Sequence, residues 1–156
     1  MSAPIHRLTV EDLVETVESV VASETDQIAN MANIAALLFE ALPDINWAGF
    51  YLFKDDQLVL GPFQGRLACT RIPLGKGVCG TVAHQKTTLV VPDVHAFPGH
   101  IACDAASASE IVVPILHDGN LIGVLDIDSP VKNRFDADDQ AMIEKIVSAF
   151  EKTLTA

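Results

Sequence analysis

Two apolar runs joined by a tight turn constrain the fold of this 156-residue chain most strongly. The runs extend from Ile111 to Leu116 and from Leu121 to Ile127. Between them lies His117-Asp118-Gly119-Asn120, whose Asp-Gly step favours the tight turn of a β-hairpin. The segment is therefore predicted to form two antiparallel strands.

The sequence before and after this hairpin divides into segments predicted to form helices and segments predicted to form strands. Helices are predicted from about Leu13 to Val21, from about Asp26 to Pro43, over the short segment from Cys79 to His84, and after a capping Asp136. Strands are predicted at 47–53, 58–60, 69–73 and 89–91, followed by a long polar loop over 92–109. Helices at both ends with consecutive strands between them predict one α+β domain over 1–156, built on a mainly antiparallel sheet.

Composition and charge narrow the class of partner. The formal net charge of −11 argues against nucleic acid, whose phosphates would be repelled. Apolar residues make up 49% of the chain, yet no apolar run approaches the eighteen or so residues of a membrane span. The first residues lack the apolar core of a secretory signal, so a cytoplasmic location is expected. A small substrate and a protein reductant fit these limits.

Three cysteines indicate chemistry rather than structure. Their number is odd, and Cys69, Cys79 and Cys103 contain no C-x-x-C spacing. Two of them lie among small and polar residues, where we expect thiols exposed on loops, the setting in which cysteine reacts. Redox or nucleophilic catalysis is the class that the cysteines favour.

A set of carboxylates is predicted at one end of the sheet. Asp126 and Asp128 stand two residues apart on a strand and therefore share a face. Glu110 begins the preceding strand, which antiparallel pairing brings beside them. Such acids repel one another, so at least one pKa should be raised, and the group can bind an ammonium, hold a metal or keep a proton. The alternative is an ordinary strand end that faces solvent.

The aromatic residues and the histidines leave alternatives open. Trp47 and Tyr51 lie four residues apart on a strand and share a face, either as core packing or as a substrate wall. His95, His100 and Cys103 are spaced H-x₄-H-x₂-C, which matches no recognised zinc pattern. No metal site is predicted.

Four segments of the sequence resemble the free methionine-(R)-sulfoxide reductases, which are built on the GAF fold. All three cysteines fall on the spacing of this family, whereas most GAF domains bind ligands without catalysis and lack the cysteine set. The segments are NWAGFYL (46–52), LGPFQGRLACTRIPLGKGVCG (60–80), VPDVHAFPGHIACDAASASEIVVPI (91–115) and GVLDIDSP (123–130).

The resemblance implies a fold and a catalytic scheme. The fold is a six-stranded antiparallel sheet flanked by helices, and GAF domains often pair through terminal helices, so a homodimer is expected. Thioredoxin, supplied by thioredoxin reductase and NADPH, is the expected external reductant, and no cofactor is expected to be bound. The implied roles are Cys103 as nucleophile, Cys69 as resolving thiol, Cys79 as alternative or relay thiol, Glu110, Asp126 and Asp128 as substrate-binding carboxylates, and Trp47 against the substrate methyl group. Tyr51, on the same strand face as Trp47, is a further candidate for substrate binding.

A second hypothesis is a GAF-type sensor that binds a small molecule and responds to oxidation without catalysis. A sensor passes its signal to a fused output domain, for which this chain is expected to have no residues, so the enzyme is preferred. The residues do not assign the acid among Glu110, Asp126 and Asp128, although Asp126 is favoured toward the substrate amine.

Overall fold

The computed structural model describes residues 8–100 and 106–155 of the chain. The helices in these ranges are α1 (Val10–Val21), α2 (Gln27–Ala41), α3 (Gly77–Gln85) and α4 (Ala137–Glu151). The strands are β1 (Trp47–Lys54), β2 (Gln57–Gly65), β3 (Arg71–Pro73), β4 (Leu89–Val91), β5 (Ser109–His117) and β6 (Asn120–Ser129). A 3₁₀ helix, Val94–Ala96, follows β4.

The strands form one six-stranded sheet in the order β3-β2-β1-β6-β5-β4, and every neighbouring pair is antiparallel. The predicted α+β class is therefore confirmed. The predicted hairpin is β5–β6, in which His117 pairs with Asn120. Asp118 and Gly119 have φ of 52° and 79°, the left-handed values that a tight hairpin turn requires and that Asp-Gly tolerates.

The two faces of the sheet carry separate cores. Helices α1, α2 and α4 cover one face, where Leu125 and Ile127 of β6 are fully buried. Helix α3 covers the other face, on which Val124 is buried. Since successive strand residues point to opposite faces, Asp126 and Asp128 project toward α3 rather than toward the larger core. The fold thus directs the carboxylates to the side that the short helix α3 covers.

Two predicted helix starts are confirmed by their capping contacts. The Asp26 carboxylate accepts a hydrogen bond from the Ala29 backbone at 2.8 Å and begins α2. Asp136 begins α4 in a reciprocal capping box with Asp139, in which each side chain accepts a backbone N–H. No helix within the described ranges has the length and apolarity needed to cross a bilayer.

Two strand boundaries differ from prediction. Strand β2 continues past Leu60 to Gly65, although the sequence there contains Gly61 and Pro62. Pairing with β3 involves only 57–59, so the missing N–H of Pro62 costs no bond to that neighbour. Strand β3 begins at Arg71, which leaves Cys69 outside it.

Candidate active site

The strand register brings the predicted carboxylates together at one end of the sheet. Glu110 on β5 pairs directly with Asp128 on β6, and Asp128 pairs in turn with Trp47 on β1. The next row places Asp126 opposite Gly49. Side chains of directly paired residues stand on the same face about 5 Å apart. Antiparallel pairing therefore produces the cluster that the sequence predicted.

These side chains line a pocket between the sheet and the start of α3. Its empty space is about 540 Å³ when the opening to solvent is included. The pocket holds all five predicted substrate-binding residues together with Cys79. Its lining residues are Trp47, Tyr51, Leu67, Ala68, Ile72, Lys76, Gly77, Val78, Cys79, His100, Ser107, Glu110, Asp126 and Asp128.

The acids are buried and held close to one another. Glu110 and Asp126 are only 8% and 5% exposed. Burial raises the pKa of both carboxyls well above their usual range, and the charge of Asp126 on Glu110 and of Asp128 on Asp126 raises them further. Because burial and neighbouring like charges both favour the neutral carboxyl, Glu110 and Asp126 hold their protons more tightly than isolated acids do.

One carboxylate oxygen in this cluster is unsatisfied. Asp126 Oδ1 is buried and accepts no hydrogen bond from any residue in the described ranges. Leaving a buried polar atom without a partner costs about 1–3 kcal/mol. A ligand that brings a donor or a cation to Asp126 would recover this energy.

The aromatic residues serve both as packing and as pocket wall. Trp47 and Tyr51 are each 2% exposed and stack with ring centroids 5.9 Å apart, while Phe63 stacks on Trp47 at 5.2 Å. The indole Nε1–H donates to the Arg66 carbonyl at 3.1 Å, and the Tyr51 hydroxyl donates to the Cys69 carbonyl at 2.9 Å. Burial beside the carboxylates raises the pKa of Tyr51, which keeps this hydroxyl a donor. Trp47 and Tyr51 are therefore packed in the core and line the pocket at the same time, and their contact with a substrate stays a prediction.

A glycine on β1 leaves room for the indole. A Cβ at Gly49 would lie 2.8 Å from the ring of Trp47 and would also overlap the Cβ of Phe63. Any larger residue would displace one ring or the other, so this position fixes how closely the aromatic wall approaches Asp126.

The cysteines occupy different environments. Cys79 lies on α3 as predicted but is only 5% exposed, so the expectation of an exposed thiol is wrong for it. The packing of α3 on the sheet buries the thiol, and both burial and the charge of Asp126 raise its pKa. Cys69 is half-buried and disulfide-bonded, whereas Cys79 is free. Cys103 lies outside the described residues.

Two polar residues at the pocket edge were not predicted. The Asn46 amide donates to Ser107 Oγ at 3.2 Å, and the Asn46 backbone N–H donates to the Asp128 carbonyl at 2.9 Å. Together they tie the segment before β5 to the strand that carries the acids. Asn46 directly precedes Trp47 and Ser107 stands three residues before Glu110, but this closeness does not distinguish them from neighbouring polar residues.

The histidines do not gather around a common centre within the described ranges. The rings of His95 and His100 are 6.4 Å apart and nearly perpendicular, and His84 is exposed on α3. Burial followed by the charge of His95 lowers the pKa of His100, which lines the pocket. The donors close enough to share an ion are instead Cys79, Glu110 and Asp126.

Comparison with known proteins identifies relatives over nearly the whole chain. Residues 29–154 match the family model of the GAF domain. Free methionine-R-sulfoxide reductase of Escherichia coli (strain K12) is 54% identical over 143 residues, which cover 92% of this chain and 87% of that protein. The solved structure of fRMsr of Staphylococcus aureus in complex with substrate is 49% identical, with a TM-score of 0.90 and coverage of 99% and 100%. That of free methionine-R-sulfoxide reductase from Neisseria meningitidis in complex with its substrate is 51% identical, with a TM-score of 0.89 and coverage of 92% and 86%.

The sheet, its flanking helices and the matched family model define a GAF-domain protein with a deep acidic pocket. Sequence identity of about 50% over most of both chains indicates membership of the same family, not only a shared fold. Within the GAF domains, the chain belongs to the free methionine-R-sulfoxide reductases, which are oxidoreductases. The resemblance stated from the sequence is thereby confirmed.

Proposed function

We propose that this protein reduces free L-methionine-(R)-sulfoxide to L-methionine. The observation that carries the proposal is the cluster of Glu110, Asp126 and Asp128 beside the indole of Trp47 in one pocket. A free amino acid brings an ammonium for the acids and a methyl thioether for the aromatic wall. Relatives of the same family have been solved with their substrate bound, which supports the assignment.

The acids divide between binding and proton supply. Asp126 Oδ1 is the natural partner of the substrate ammonium, because it is buried without a donor from the described residues. A protonated Glu110 or Asp128 then donates a hydrogen bond to the sulfoxide oxygen and makes the sulfur electrophilic. Peptide-bound methionine sulfoxide lacks the α-ammonium and gains nothing from Asp126, so the free amino acid is preferred.

The proposed chemistry is a two-electron transfer from thiols to the sulfoxide. Cys103 attacks the sulfur, the oxygen is transferred, and the products are methionine and a cysteine sulfenic acid. Cys69 condenses with the sulfenic acid, forming a disulfide and releasing water. The disulfide-bonded state of Cys69 and the free state of Cys79 support this pairing. Cys79 can act as a relay only as an exposed thiolate, since that is the species that exchanges.

The cycle closes with an external dithiol. A thioredoxin-type protein, itself reduced by thioredoxin reductase with NADPH, exchanges with the disulfide and restores both thiols. We further propose a homodimer, which light scattering on the purified protein would test.

The proposal is tested by following NADPH oxidation with thioredoxin, thioredoxin reductase and free L-methionine-(R)-sulfoxide. The free S epimer and a peptide-bound sulfoxide are the matched substrates. We expect turnover of the free R form alone and its loss in Cys103→Ser. If protein with fully reduced thiols binds the R form without turnover, the reductase hypothesis is wrong and the redox-sensor hypothesis is favoured.

The ammonium partner is tested separately. Asp126→Asn removes the charge without changing the shape, and losing a charge-assisted hydrogen bond of about 1.5–3 kcal/mol should raise KM roughly 10- to 100-fold. Asp118→Asn is the control, because Asp118 lies exposed in the β5–β6 turn. An unchanged KM in Asp126→Asn would refute the assignment.

A further inference from the structure

The floor of the pocket carries a buried set of one thiol and two carboxyls. Cys79 Sγ and one carboxyl oxygen each of Glu110 and Asp126 lie within 4.8 Å of one another. All three residues are more than nine-tenths buried. They come from α3, β5 and β6, so the packing of three elements fixes their positions.

No lysine or arginine of the described residues forms an ion pair with Glu110 or Asp126, although Lys76 also lines the pocket. The ion pairs of the described lysines and arginines join Lys132 to Asp93 and Arg134 to Asp139, away from this cluster. Asp126 Oδ1, in addition, is enclosed without a donor. A buried, unpartnered oxygen beside two further acidic groups is therefore open to a cation from solution.

The donor types select the kind of cation. Magnesium and calcium take six or more oxygen ligands, whereas a thiolate with carboxylates suits Zn²⁺ or Cd²⁺. Tetrahedral Zn²⁺ with bonds of about 2.0–2.3 Å holds neighbouring ligands roughly 3.5 Å apart. Donors already within 4.8 Å of one another reach a shared ion by small side-chain rotations. Three protein ligands leave one position of a tetrahedral ion free.

We propose that Cys79, Glu110 and Asp126 form a site for a thiophilic divalent cation, with Zn²⁺ as the ion that inhibits the protein. A bound ion occupies Asp126, the same carboxylate that receives the substrate ammonium, so ion and substrate exclude each other. Cation binding is independent of the proposed function, and only the competition with substrate rests on it.

Cd²⁺ serves as the direct probe, because its bond to a thiolate gives an ultraviolet charge-transfer band. The double variant Cys69→Ser/Cys103→Ser leaves Cys79 as the one thiol of the three-cysteine chain. We expect one equivalent of Cd²⁺ to bind with this band. Adding Asp126→Asn or Glu110→Gln should weaken binding at least tenfold, since even residues behind the ligands change metal affinity 10- to 100-fold.

Adding Asp118→Asn to the same double variant is the control and should leave the Cd²⁺ affinity unchanged. Circular dichroism verifies that each variant is folded. Absence of the band in a folded protein, or equal affinity with and without Asp126, would overturn the proposal. This measurement involves no turnover, so it stands even where the reductase assignment fails.

Kinetics test the competition. Zn²⁺ should raise the KM for free L-methionine-(R)-sulfoxide and leave kcat unchanged. For each protein, the Zn²⁺ concentration that doubles its own KM is measured. This concentration should be at least tenfold higher for Cys79→Ser than for the wild type. Equal sensitivity of the two proteins would place the inhibiting ion on other thiols and refute the site.

Discussion

Asp126 is the residue at which folding and binding make opposite demands. Burial and the neighbouring charges of Asp128 raise its pKa, so the folded protein favours the protonated form. Substrate ammonium favours the ionised form instead. Folding therefore shifts the pKa of Asp126 in the direction opposite to substrate binding, and this shift gives a measurable dependence of stability on pH.

We expect Asp126→Asn to be more stable than the wild type at pH 7, by about 0.5–2 kcal/mol, because the amide is neutral at every pH and removes the cost of burying a titrating acid. The raised pKa means that the contribution of Asp126 to stability is complete below its ordinary value near 3.8 and is lost as pH rises through the folded-state value. The wild type should therefore lose stability with rising pH more steeply than the variant. Urea unfolding at several pH values, with a chelator present, measures this.

The groups facing Asp126 are Tyr51, Cys79, Glu110 and Asp128. Glu110 also has a raised pKa, so the variant should keep part of the pH dependence. Parallel pH profiles for wild type and variant would contradict a protonated Asp126 in the folded state.

The sequence predicted the acids but not the state of the thiol beside them. Asp126, Asp128 and Glu110 follow from strand periodicity and antiparallel pairing, which are local rules. The burial of Cys79 depends on how closely α3 packs against the sheet, and no residue near Cys79 encodes that distance. Asn46 went unpredicted for the same reason, because its bond to Ser107 joins residues 61 positions apart.

Among the elements, α3 positions the pocket through one glycine. A Cβ at Gly80 would lie 2.5 Å from the Pro73 carbonyl oxygen, and the Gly75 N–H donates to the Gly80 carbonyl at 2.8 Å. The helix therefore rests directly on the turn that follows β3. This contact sets the distance of the neighbouring Cys79 from the sheet.

Gly80→Ala should push α3 outward, lower stability by about 1–3 kcal/mol and raise KM. Gln85→Ala, an exposed change on the same helix, should alter neither. Thermal unfolding and steady-state kinetics of the two variants test this. A Gly80→Ala protein with native stability and KM would show that the helix does not depend on the close contact.

At the scale of the element, strand type was predictable and strand length was not. The apolar run over 121–127, which follows the Asp-Gly turn, predicted β6 correctly, and both of its faces are buried against helices. Strand β2 ran past its predicted end because Pro62 lies beyond the part paired with β3. Such tolerance depends on the neighbouring strand, which local propensity does not describe.

In the whole molecule, one face of the sheet packs in the larger core and the other face carries the pocket. Ile127 is fully buried in the core under α1, α2 and α4, while Asp126 and Asp128 on either side of it enter the pocket. Adjacent residues of one strand thus serve different purposes. Substitutions on the face under α1, α2 and α4 are expected to change the free energy of unfolding without changing substrate affinity.

Ile127→Val should cost about 0.5–1.5 kcal/mol through loss of one buried methyl group. For a chain of this size that lowers Tm by a few degrees. KM measured well below Tm should stay within about twofold of the wild type, since the removed methyl faces away from the pocket. A large rise in KM with little change in Tm would show that the two faces are coupled.

The chain contains one tryptophan, and that residue stands in the pocket wall. Trp47 therefore dominates the fluorescence of the protein, and its emission reports the polarity and quenching groups around the carboxylates. A ligand placed between the indole and Asp126 changes both. Ligand binding can therefore be titrated through Trp47 fluorescence without an added label. The same measurement works in cysteine variants that have no catalytic activity.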